Sequence, residues 1–216
     1  MKRLFFLFVI TLKTLFAQDH WETAIFANDI WRYIVPNSEP SANWKDQSFD
    51  DSSWDEGEGG FGYGDNDDGT ILDQALSVYF RTTFSVEDIS KLKSAIVSAD
   101  YDDGFIAYLN GYEIGRSYNL PEPGTFVPFD TQTFYDHEAS LYNGGLPESI
   151  LIDSLELNNI LINGQNVFAI QLHNVSTSSS DMSGNFYLTF GIADDSQFYS
   201  DPPFWFQEPV VYDESN

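Results

Sequence analysis

The chain has 216 residues, 34 of them acidic and 9 basic, with a formal charge of −25 and no cysteine. That balance excludes nucleic-acid binding, which needs a basic stripe. It repels an anionic membrane surface, attracts divalent cations and is indifferent to neutral polymers. Without disulfides the fold must rest on its apolar core, which about 200 residues can supply.

The N-terminus reads as a secretory signal peptide over residues 1–17: Lys2 and Arg3, an apolar run over 4–10 extended by 12–16, and a small Ala17 before Gln18. The run is shorter than the ~20 residues of a membrane span, and Lys13 interrupts it. Cleavage would leave 6 basic against 34 acidic residues. The expected destination is outside the cytoplasm, secreted or at the cell surface, with no stable membrane insertion.

Residues 18–60 carry Trp21, Trp31, Trp44 and Trp54 between prolines and polar stretches, which predicts irregular strand and loop wrapping a sandwich. Residues 56–69 (EGEGGFGYGDNDDG) read as loop. Strands are predicted over 78–86, 94–99, 105–109 and 112–116, the last two joined by Asn110-Gly111, a strong hairpin signal. Residues 117–149 are a long Pro- and Gly-bearing excursion, a length that is usually functional or poorly ordered. Strands follow over 150–155, 166–175 and 185–193, with a short helical turn over 157–161. Many short strands separated by Gly, Asn and Asp turns predict an all-β jelly-roll β-sandwich over 18–195. Residues 196–216 read as a Pro- and aromatic-rich linker or docking tail.

Three blocks carry a resemblance: FDDSSWDEGEGGFGYGDNDDGT, VYFRTTF with ADYDDGFIAYLNGYEIGR, and NGQNVFAIQLHNVSTSSSDMSGNFYLTFGI. They resemble the galactose-binding-like jelly-roll module at the front of secreted bacterial proteins, where it often precedes a spore-coat-H-type kinase-like domain or a lamin-tail domain. They are distantly similar to the sugar-binding domain of family 2 glycoside hydrolases, which shares the YLNG hairpin and the late G-x-N-x-x-A strand. The resemblance implies a galactose-binding-domain-like fold and a non-catalytic accessory role.

Several residues are candidates for a site. Asp102-Asp103 precedes a strand and a hairpin, and adjacent carboxylates would be relieved by a cation or would cap backbone amides. Asp65, Asp67 and Asp68 offer hard oxygen ligands in a glycine-rich loop, without the spacing of an EF-hand. Calcium is the expected cation, with Asp65, Asp67, Asp102 and Asp103 as ligands. Tyr101, Asp102, Asp103, Asn110, Arg116 and His173 are the expected ligand-binding set. Asp136-His137-Glu138 could ligate a metal, or lie as an exposed loop with His137 at the surface. His173 with Ser179, Ser180 and Asp181 crowd one loop and lack a G-x-S-x-G elbow, so a catalytic triad is rejected in favour of loop closure. Arg81 and Arg116 are expected to pair with carboxylates. The function these features predict is a secreted, non-catalytic, carbohydrate-binding module with a polysaccharide partner. The alternative is a structural domain that docks a neighbouring domain through its aromatic tail.

Overall fold

The computed structural model describes residues 20–64 and 68–209. The predicted leader, the loop carboxylates Asp65 and Asp67, and the tail beyond 209 lie outside the described residues. In chain order the elements are β1 (His20–Ile25), β2 (Ile30–Ile34), β3 (Asp55–Glu58), β4 (Phe61–Tyr63), β5 (Thr70–Ile71), β6 (Ser77–Val86), β7 (Leu92–Asp102), β8 (Gly104–Leu109), β9 (Tyr112–Arg116), β10 (Glu148–Asp153), α1 (Ser154–Ile160), β11 (Gly164–His173) and β12 (Met182–Ile192). One sheet runs β10-β7-β12, with β1 and β4 sharing the far side of β12 and β5 beside β4. The second runs β3-β2-β6-β11-β8-β9. Among the described strand pairs, β4–β5 alone is parallel. The two sheets pack face to face as a jelly-roll β-sandwich. No described helix is long and apolar enough to cross a membrane.

The period-2 alternation of strands builds the core. Val78, Phe80, Phe84 and Val86 of β6 and Phe168, Ile170 and Leu172 of β11 face Ala95, Val97 and Ala99 of β7 and Phe186, Leu188 and Phe190 of β12. α1 closes one end with Leu157 and Ile160. The strand predicted over 150–155 stops at Asp153, because the Asp153 carboxylate accepts from the Glu156 amide at 2.9 Å and starts the helix.

The N-terminal segment is more regular than its composition suggests. β1 and β2 are members of the two sheets, and the stretch read as loop over 56–69 contains β4, whose Phe61 and Tyr63 enter the core. Its glycines serve close approach: a Cβ on Gly62 would lie 2.2 Å from the Met182 carbonyl oxygen and 2.2 Å from Asp68 Oδ1.

The outer face of the second sheet is covered. Trp44, Trp54, Tyr79, Ile106, Tyr108 and Val127 form a second cluster beneath the tryptophan loop and the first half of the excursion. Arg81, buried at 2 % exposure, clamps that loop: its Nε donates to Asp51 at 2.7 Å and its Nη1 to the carbonyls of Trp44 and Asp46. The outer face of the first sheet is only partly covered, by residues 136–146 of the excursion on one side and by the tail on the other. Within the tail, the Phe198 and Tyr199 amides both donate to Glu22 Oε2 at 2.8 Å, Thr23 N donates to Ser200 O at 2.8 Å, and Phe206 packs on Trp21.

Candidate functional site

Strand alternation decides which residues reach the open face. With Tyr101 turned into the core, Asp100 and Asp102 of β7 point outward, beside Ser183, Asn185 and Tyr187 of β12. Asp100 is consumed by structure. Its carboxylate accepts from the amides of Ser140 at 2.6 Å and Leu141 at 3.2 Å, which pins the excursion over the sheet.

Asp102 differs. Carboxylate oxygens of Asp102, Glu138 and Asp181 lie within 4.8 Å of one another, on three different segments of the chain. Asp102 is 6 % exposed. Burial, and then the negative charges of Asp103, Asp181 and Glu138, push its carboxyl up to about 8. A bound cation would remove both penalties, and three hard oxygen donors around one point suit such an ion. The cluster borders a hollow of about 310 Å³ that Tyr142 and Ser183 also line.

A second hollow of about 340 Å³ adjoins it, with Ser183, Asn185 and Asp100 on its floor and aromatic rings on its walls. Trp205 stands edge-on to Tyr187 at 4.9 Å between ring centroids. Tyr142 is 69 % exposed and Phe204 fully exposed. Rings beside hydrogen-bonding groups form a surface on which sugar faces can stack while their hydroxyls are bound.

Asp68, singled out in the sequence as a possible ligand, also lines that second hollow, while the other described candidates have other work. Asp103 Oδ1 accepts from the His137 amide at 2.8 Å and Oδ2 from the Val175 amide at 2.6 Å, so it ties two loops together. Tyr101 is in the core, with its hydroxyl donating to Glu148 at 2.6 Å. His137 is half-buried rather than exposed: its ring stacks on Tyr101 at 4.1 Å and its Nδ1 lies 2.9 Å from the Tyr101 carbonyl. Asn110 Nδ2 donates to Ile160 O and Asn166 Oδ1, and its Oδ1 accepts from Val167 N, which fixes the hairpin turn to the start of β11. Arg116 forms a bidentate pair with Glu113 at 2.6 and 2.7 Å and donates to the carbonyls of Pro121 and Thr125. His173 is fully buried between Gln171 and the Thr131 carbonyl, and burial lowers its pKa to about 4. Both of its ring nitrogens are engaged there, and Asp181 Oδ1 accepts from Ser180 instead.

Asp65 and Asp67 lie outside the described residues, and of the expected ligand-binding residues, all of them described, Asp102 alone lines these hollows. Glu138, named in the sequence as a possible ligand, and Asp181, read there as a loop closer, join it. Tyr142, Tyr187 and Trp205 were not singled out as site residues. Their signal was the outward parity of 187 on its strand and the aromatic run at 204–206.

No protein-family model and no curated protein matches the chain. Among solved structures, a β-glucuronidase from glycoside hydrolase family 2 is 17% identical over 80% of this chain and 18% of its own, with a TM-score of 0.48. An uncultured Clostridium sp. β-glucuronidase is 14% identical over 81% and 29%, with a TM-score of 0.49. A family 2 glycosyl hydrolase from Bacteroides cellulosilyticus is 14% identical over 77% and 20%, with a TM-score of 0.47. The chain thus spans between 18% and 29% of the length of these structures.

Proposed function

We propose that this protein is an exported, non-catalytic glycan-binding module, and that its site is the open face of the first sheet rather than the hairpin rim. The observation that carries the reading is the juxtaposition of an aromatic-walled hollow (Tyr142, Tyr187, Trp205) with the acidic cluster of Asp102, Glu138 and Asp181. Calcium at that cluster would neutralise the carboxylates and present an open coordination position to sugar hydroxyls. The other reading, a domain that docks a neighbour through its tail, has less to draw on, since Trp205 and Phe206 are engaged with Tyr187 and Trp21 of the same chain.

The test is retention of the purified protein on a panel of soluble and insoluble polysaccharides, in calcium and then in EDTA. Retention lost in EDTA is the expected result. Retention indifferent to EDTA keeps the aromatic site and removes calcium from it. No retention on any polymer overturns the reading.

A further inference from the structure

The hollows on this face do not stand alone. The one beside the acidic cluster shares Tyr142 and Ser183 with the aromatic one. That in turn shares Trp205 with a third of about 360 Å³, which runs on toward Leu146 and Gln207, and a small extension reaches Ser149 of β10. The path can be measured on the strands beneath it. From Ser183, opposite Asp102, to Tyr187, opposite Ser98, is four strand residues, about 13 Å. Ser149 lies across β7 from there, also opposite Ser98, so the trench crosses two further strand spacings, about 10 Å. A single sugar ring would fill only a fraction of that length.

Polar side chains dominate the end at the acidic cluster and aromatic rings the end at Trp205 and Phe206, which suits a chain of rings that offers both hydroxyls and faces. The charge sets a second condition. Asp100, Asp102 and Asp181 underlie the trench in a chain carrying −25 overall. The net acidic charge disfavours a polyanion, whereas hydroxyls of an uncharged polymer can bond to Ser183 and Asn185 or reach a cation held at the cluster. We propose, building on the glycan-binding reading, that this trench takes several consecutive units of a linear, uncharged polysaccharide, rather than a single sugar or a chain end.

The experiment is calorimetric titration in calcium of mono- to hexasaccharides from β-1,3-glucan, β-1,4-xylan and β-1,4-mannan, with oligogalacturonate as the charged counterpart. The expected result is affinity rising at least about tenfold from mono- to tetrasaccharide in one neutral series. Ser149→Ile, which adds bulk without a stacking ring at the far end of the trench, should shrink the ratio of hexasaccharide to disaccharide affinity; an unchanged ratio would show that the chain does not reach Ser149. A monosaccharide that binds as tightly as its hexasaccharide overturns the trench and leaves glycan binding standing. Tighter binding of oligogalacturonate overturns the charge argument. Silence across every series, together with an empty polysaccharide panel, removes the glycan reading itself and the trench with it.

Discussion

At the scale of single residues, two neighbouring aspartates have opposite roles. Asp103 accepts from two backbone amides, so Asp103→Asn leaves buried amides poorly paired and should cost roughly 1–3 kcal/mol in urea unfolding. Asp102 is held among like charges, so Asp102→Asn should raise stability in metal-free buffer by roughly 1 kcal/mol. Calcium should raise the melting temperature of the parent protein and leave that of Asp102→Asn unmoved. A parent unaffected by calcium would remove the ion from the site. His173 carries a pH signature. Burial holds it at about 4 against an ordinary value near 6.5, with Arg116 adding a like charge and the Thr131 carbonyl opposing. Between those values the unfolded chain binds the extra proton, so the stability that neutral His173 confers is complete above about pH 6.5 and is lost as pH falls toward 4. The loss is roughly 3 kcal/mol. His173→Gln keeps one donor and one acceptor and should unfold with a flatter acid limb. Equal limbs would show that His173 is not the group responsible. The sequence made Asp102 visible, because paired carboxylates before a strand are unusual. It could not show that Glu138 and Asp181, 36 and 79 residues further on, return to the same point, since that depends on which way two loops fold.

Elements divide the labour between the two outer faces. The second sheet spends its outer face on Trp44, Trp54 and Tyr79, a buried cluster that stabilises, while the first sheet leaves part of its face open. The tail is what turns an open sheet into a walled site, because Trp205 stands there only while Phe198, Tyr199 and Phe206 are anchored on β1. Two tryptophans should therefore respond in opposite ways. Trp44→Ala should cost about 3–5 kcal/mol and leave the glycan affinity of the folded fraction intact. Trp205→Ala should weaken retention at least about tenfold, with a much smaller loss of stability. If both lower stability alike and neither touches binding, the tail is only a strap. The strands were largely legible, since alternating β-branched and aromatic residues over 78–86 and 185–193 leave little choice. β4 was hidden because Gly62 is needed for close approach to Met182 and Asp68, and glycine-rich sequence reads as loop whatever its purpose.

For the molecule as a whole, charge separates the two ligands the site is proposed to hold. The acidic excess draws divalent cations from a distance, and that attraction decays with the Debye length, from about 10 Å at 0.1 M salt to about 3 Å at 1 M. Stacking of an uncharged sugar on Tyr142, Tyr187 and Trp205 has no such long-range term. Calcium affinity should accordingly fall steeply between low and high sodium chloride. Glycan affinity measured at saturating calcium should change by less than about twofold over the same range. The two titrations run on one preparation. A glycan affinity that falls with salt as fast as the calcium affinity would mean that the polymer itself carries positive charge, and would replace the uncharged polysaccharide with a cationic one.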